Sequence, residues 1–249
     1  MSQPSLSAII ASVFAEYQPI IDLGHNRMVG CEALARWNTK DGTTQTIGDV
    51  IDRIEADETL AMELTTRMLG FIRRDLAPLL AAHPHFTVSV NIPPIMIGSG
   101  KVISLLEDSD LAEYHSQLVG EITERQALDE MGRNAIRMAR EELGMKVAID
   151  DFGTGQSGLQ QLIGMEVDIL KIDQSFIELI GKDLAAERLV RAIAALAAVL
   201  NVDVVAEGVE TGDQASFLRA IGVDKAQGWL WSKAIGPLEL ETWLEAASI

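Results

Sequence analysis

Short apolar runs alternate with longer amphipathic stretches along nearly the whole chain. The short runs predict strands at Tyr17–Leu23, Val29–Trp37, Phe86–Ile92, Leu118–Thr123, Lys146–Phe152, Ile169–Asp173, Val202–Gly208 and Lys225–Trp231. The link Gly24-His25-Asn26-Arg27-Met28 between the first two is short and suits a hairpin. Helical spacing marks Asp57–Leu80, Glu124–Leu143 and Asp183–Leu200, with Gly144 and Asn201 placed to stop the last two. Leu189–Leu200 is apolar on nearly every face, as expected of a helix packed against a barrel and its neighbours. Strand–helix units in this number read as an α/β fold with a parallel sheet closed into a TIM-type (β/α)8 barrel. A doubly wound open sheet is the alternative. It is weakened because no glycine-rich phosphate fingerprint follows the first strand.

No linker or low-complexity tract divides the 249 residues, so a single domain is expected. Residues 1–16 form an N-terminal helix or extension, and the barrel runs from about 17 to 249. Apolar residues make up 48% and charged residues 23%, enough to bury a core and to exclude disorder. Only 5% is aromatic and no Lys/Arg cluster occurs, which argues against a DNA or RNA polymer as partner. The charge of −17 implies that a phosphate ligand would need a cation beyond the protein surface, for which metal ions are the natural candidate. Cys31 lies in an apolar run and reads as an inert buried thiol. The start of the chain lacks the basic segment of a signal peptide, and the longest unbroken apolar stretch, Ala192–Leu200, is too short to span a bilayer. A cytoplasmic protein without membrane contact is the expectation.

Candidate chemistry enters through strand ends. Glu32, Asn91, Glu121, Asp150, Asp151 and Glu207 stand in or at the ends of successive predicted strands, with Lys171 among them. In a parallel barrel those ends share one face, and so many carboxylates there repel each other unless cations intervene. All are oxygen donors, which suits Mg²⁺ or Mn²⁺ better than zinc. Two such ions form a recurrent device for phosphodiester hydrolysis. Taken singly, each acid is more simply a helix cap or a solvated charge, and Lys171 a structural ion pair; the joint pattern is what points to a site. Asp151-Phe152-Gly153-Thr154-Gly155 reads as a strand-to-helix turn or as a loop coupling metal and substrate. The four histidines fall in predicted loops, and no Ser-His-Asp set is evident.

These motifs together resemble the EAL phosphodiesterase family. Glu32-Ala33-Leu34 matches the eponymous motif, continued by Ala35-Arg36-Trp37. Ser89-Val90-Asn91, Glu121-Ile122-Thr123-Glu124, Asp150 to Gly155, Leu170-Lys171-Ile172-Asp173, Glu207-Gly208-Val209-Glu210 and Gln227-Gly228 follow in order. The resemblance covers about Tyr17 to Trp231. It implies a barrel whose first strand is antiparallel and a reaction that hydrolyses cyclic di-GMP to linear pGpG. By the same resemblance, Glu32, Asn91, Glu121 and Asp150 hold one Mg²⁺ or Mn²⁺ ion, and Asp150, Asp151 and Glu207 a second. Lys171 positions or activates water, so Lys171, Glu32, Asp150 and Glu207 carry the catalysis. Gln18, Leu34 and Arg36 contact substrate, with Asp173, Glu210 and Gln227 grouped beside them, the last two also supporting metal ligands. Glu124 anchors the glycine-bearing loop, and a homodimer is expected. A regulatory partner or fused sensory module would lie outside this chain. Departures from the family pattern occur at Gln156-Ser157-Gly158, Ile92-Pro93-Pro94 and Ser232-Lys233-Ala234, none of them at an expected metal ligand. A module that binds the nucleotide without hydrolysing it is the alternative. On strand-end chemistry alone, a metal-assisted lyase fits equally well.

Overall fold

The computed structural model describes residues 4–39, 41–154 and 166–246. Its nine strands are β1 (Phe14–Asp22), β2 (Arg27–Asn38), β3 (Thr44–Thr46), β4 (Thr87–Asn91), β5 (Leu118–Thr123), β6 (Lys146–Phe152), β7 (Ile169–Ile172), β8 (Asp203–Ala206) and β9 (Lys225–Ala226). All but β3 form a closed barrel. Neighbours from β2 through β9 pair in parallel, while β1 pairs antiparallel with both β2 and β9 and closes the ring. The fold is therefore the α/β barrel with a reversed first strand that the family resemblance implied. Strand β3 extends the sheet beyond the barrel by pairing with the end of β2.

Around the ring lie α1 (Leu6–Ser12), α2 (Gly48–Glu55), α3 (Glu58–Ala82), α4 (Pro94–Gly98), α5 (Lys101–Asp108), α6 (Glu124–Leu128), α7 (Glu130–Glu141), α8 (Gln174–Ile177), α9 (Leu184–Leu200), α10 (Gly212–Ala220) and α11 (Pro237–Ala246). Expected start and stop signals operate. Asp57 and Asp183 cap α3 and α9, Gly144 takes φ +63° after α7, and Asn201 ends α9 in the left-handed conformation. The helix expected over Glu124–Leu143 is two helices. Asp129 is extended, and its carboxylate accepts from the Gly132 amide, opening α7 anew. Strand β1 begins at Phe14, earlier than expected, and the expected N-terminal helix is the single short α1.

The expected strand Lys225–Trp231 is corrected to two residues, Lys225–Ala226. Beyond them the chain folds onto the exit of β8: Val209 donates its amide to Gln227 O and Leu230 donates to Val209 O, at 3.1 and 2.9 Å. Gly228 permits this, because a Cβ there would fall on the backbone of Val209.

A large apolar core lies between the barrel wall and the helices, and Cys31 is buried in it, its thiol pushed up by burial. A smaller core fills the barrel itself, built from Ile20, Val119, Ala148, Ile169 and Val205. Side chains alternate along a strand, so the residues two positions on, Glu121, Asp150, Lys171 and Glu207, occupy the next layer towards the strand ends. Gly228→Ala should lower stability by about 2–3 kcal/mol, measured by thermal or urea unfolding, because backbone must move to admit the methyl group.

Candidate active site

The charged layer converges on one ammonium. Lys171 Nζ lies 2.8 Å from Glu207 Oε1, 2.9 Å from Glu121 Oε2, 2.9 Å from Asp150 Oδ1 and 3.2 Å from Glu32 Oε2. Lys171 is 1% exposed and Glu121 likewise 1%, so these charges sit inside the barrel rather than on it. Gln227 completes the arrangement, donating from Nε2 to Glu32 Oε2 at 2.6 Å and to Glu207 Oε1 at 3.0 Å. It ties the end of β9 to acids on β2 and β8.

Asp151 reaches the same place by a local irregularity. Between Ile149–Leu170 and Phe152–Ile172, strand β6 carries one residue more than β7. Asp151 sits at that bulge with φ +54°, a left-handed conformation tolerated by short polar side chains. Strict alternation would send adjacent side chains to opposite faces. The bulge instead allows Asp150, Asp151 and Glu207 each to bring one carboxylate oxygen within 4.8 Å of the others. Glu121 Oε1 and Gln227 Oε1 are buried without a hydrogen-bond partner, and Asp150 Oδ1 touches the ammonium without a hydrogen bond. A divalent cation fits such a donor set: its ligands are hard oxygens, Glu121 Oε1 lacks a partner, and four carboxylates surround one lysine with Asp151 close by.

The electrostatics follow from that imbalance. At about 4 Å each pair of like charges repels by roughly 4 kcal/mol at an effective dielectric near 20, so one ammonium cannot compensate them all. Burial and then the neighbouring acids push Glu121 well above the usual carboxylate range. Burial, against the pull of Lys171, takes Glu207 up to about 8, and burial with Asp150 and Asp173 takes Asp151 up to about 6. Glu32 goes the other way: burial raises it, but Lys171 and the Gln227 hydrogen bond bring it below its ordinary value. Lys171 is pushed down by burial, yet its surrounding carboxylates raise it well above the ordinary lysine value.

A groove of about 450 Å³ opens beside this cluster. Asn91, Asp150 and Asp151 line it together with Leu34 and Arg36 from β2, and α2, α3 and α6 supply its walls. The remaining expected site residues divide into four sets. Arg36 holds Glu16 at 3.1 Å while facing the groove. Gln18 is buried and donates to Ser232 O at 2.6 Å, and Asp173 caps α8 through the Ser175 amide. Glu210 is exposed, with its amide bonded to Gln214. Glu124 accepts from the Gly153 amide at 3.0 Å and so grips the turn after Asp151. Of the glycine-bearing loop, Gly155 and Gln156-Ser157-Gly158 lie outside the described residues. Two groove residues that strand-end reasoning missed are Glu55 and Gln126, joined at 2.7 Å. Thr123-x-x-Gln126 is a readable capping box, but its partner across the groove is not.

The family model of the EAL domain matches residues 8–234. A relative in Escherichia coli (strain K12), "Probable cyclic di-GMP phosphodiesterase PdeB", is 35% identical over 236 residues, covering 94% of this chain and 45% of its own. The chain thus spans about half the length of this and two further curated relatives that it matches. Among solved structures, the EAL enzyme Bd1971 in its "cAMP and cyclic-di-GMP bound form" superposes with a TM-score of 0.85 at 30% identity, covering 94% of this chain and 65% of that one. The PaMucR phosphodiesterase in its c-di-GMP complex gives 0.83 at 29% identity, covering 92% and 94%. No helix among the described residues is long and apolar enough to cross a membrane. With its motifs in family order and the family model matching almost end to end, this chain belongs to the EAL domain family.

Proposed function

We propose that the chain hydrolyses cyclic di-GMP to linear pGpG with the help of two divalent ions, Mg²⁺ or Mn²⁺. The observation that carries this reading is Lys171 enclosed by carboxylates from four different strands beside a groove of nucleotide size. Glu32, Asn91, Glu121 and Asp150 would hold one ion, and Asp150, Asp151 and Glu207 the other. Bound there, such ions lower the pKa of water and offset charge on a phosphodiester.

The chain's own groups supply the rest. Lys171, enclosed by four acids, would position or activate the attacking water. Gln227 fixes the rotamers of Glu32 and Glu207, and Glu124 holds the turn that presents Asp151. Arg36, paired on one side with Glu16, offers its guanidinium to a phosphate oxygen. Substrate would enter over Leu34 and leave through the same groove. Dimerisation belongs to the same reading, because the resemblance implies it.

The test is hydrolysis of cyclic di-GMP with Mg²⁺, Mn²⁺, Ca²⁺ or no metal, products being separated by chromatography. Conversion to pGpG with Mg²⁺ or Mn²⁺ is expected, and a fall of at least about 100-fold in kcat for Glu32→Ala or Lys171→Ala. Turnover that persists in excess chelator would overturn the reading, as would nucleotide binding with no turnover under any metal.

Proton and metal compete for the same oxygens, which gives a pH signature. Glu207, with a pKa near 8 when folded, holds a proton that the unfolded chain releases at an ordinary carboxylate pKa. That contribution is complete below the unfolded value and is lost as pH rises through the folded one. Chelated protein should therefore lose thermal stability between about pH 5 and pH 9. Glu207→Gln or added Mn²⁺ should flatten the slope, as read by melting temperature.

A further inference from the structure

The outer wall of the groove is thinly built. Strand β3 is exposed throughout and pairs only with the end of β2. Helix α2 has two turns, no side-chain cap at Ile47, and Ile54 as its buried residue. Ile47, Val50 and Ile51 pack only partly buried against the core beside it. Two-turn helices are marginal alone, and a wall held at the edge of the core opens more easily than the barrel. What reaches it from across the groove is a hydrogen bond: Gln126 Nε2 donates to Glu55 Oε2 at 2.7 Å.

Gln126 is itself firmly placed. Its Oε1 accepts from the Thr123 amide at 3.0 Å, and its own amide donates back to Thr123 Oγ1. Thr123 ends β5, two residues after Glu121, and stands in register with Asp150 on β6. Helix α6 therefore has two arms. Glu124 grips the turn after Asp151 through the Gly153 amide, while Gln126 grips α2. Burial draws the Glu55 carboxyl above its ordinary pKa, against the Gln126 hydrogen bond, with Asp52 raising it and Arg125 lowering it. A partly buried carboxylate left without its donor would turn toward solvent and carry α2 away from α6.

We propose that Gln126 is a positioning residue: through Glu55 it latches α2 to the strand ends that bear the acids and so sets the width of the nucleotide groove. The inference rests on the phosphodiesterase reading for its substrate but on the hydrogen bond itself for its mechanism. The latch acts on substrate binding, because it touches the wall and none of the reacting groups.

The test uses Glu55→Ala and Glu55→Gln in the full chain, since Glu55 lies on a surface helix and Gln retains an oxygen acceptor for Gln126 Nε2. Glu55→Ala should raise KM for cyclic di-GMP about tenfold with kcat within about twofold, and Glu55→Gln should restore it. A second measurement needs no turnover. Hydrogen–deuterium exchange of the β3 and α2 amides, without nucleotide, should quicken in Glu55→Ala and return in Glu55→Gln. An active enzyme whose KM is untouched by Glu55→Ala would sink the latch and leave the proposed function standing. Loss of kcat in step with KM would also sink it, as would a Glu55→Gln variant as impaired as the alanine. If the unaltered protein fails to turn over, the proposed function falls, and exchange alone decides the latch: unchanged rates in Glu55→Ala overturn it.

Discussion

One buried ammonium, surrounded by acids from β2, β5, β6 and β8, is the constraint to which the rest of this barrel answers. Removing such charges from water is expensive, and the attraction between them compensates only when geometry is good. Here the geometry is set by a layer of small and branched side chains beneath, Val119, Ala148, Ile169 and Val205, which fixes the height of each strand. Gln227 then fixes the lateral spacing of two of the acids. The arrangement still carries more negative charge than one lysine can balance. It is an unfavourable place without further cations, and that imbalance is the chemical property that would draw a divalent ion.

The polar–apolar pattern made much of this legible. Period-two alternation put Glu121, Asp150, Lys171 and Glu207 on one side of their strands, and parallel closure brought that side to one place. Helix boundaries at Asp57, Gly144, Asp183 and Asn201 follow from cap chemistry, which is local and therefore readable. What escaped depends on non-local packing. Asp150-Asp151 gives no sign that β6 bulges there, because the extra residue is defined only against β7. Asp129 is one acid among several in a helical stretch until its carboxylate is seen on the Gly132 amide. The apolar run after Ala226 looks like strand, yet it hydrogen-bonds to Val209 instead of extending the sheet.

The site residues divide along the same line. Glu32, Glu121, Asp150, Glu207 and Lys171 converge, and their places in or at strand ends had marked them, while Asp151 joins them through the bulge. Glu210 is exposed, and Asp173 caps a helix while also facing Asp151, placements that a motif position alone does not give. Glu55 and Gln126 belong to the groove without belonging to any strand end. Their pairing crosses 71 positions of sequence, a separation at which only the folded chain can introduce them.

The reversed β1 has a consequence for how force could reach this machinery. In an all-parallel barrel the first strand starts at the floor, remote from the catalytic rim. Here Phe14 lies opposite Arg36 and Glu16 opposite Leu34, so β1 starts at the rim and descends. Arg67 on α3 clasps Val13 O just before it, at 2.9 Å. A pull or twist applied at α1 would act within a few residues of Glu16, whose carboxylate holds Arg36 over the groove. The lever is short. Mechanical input from that side would reach the groove-facing guanidinium of Arg36 through the first few residues of β1.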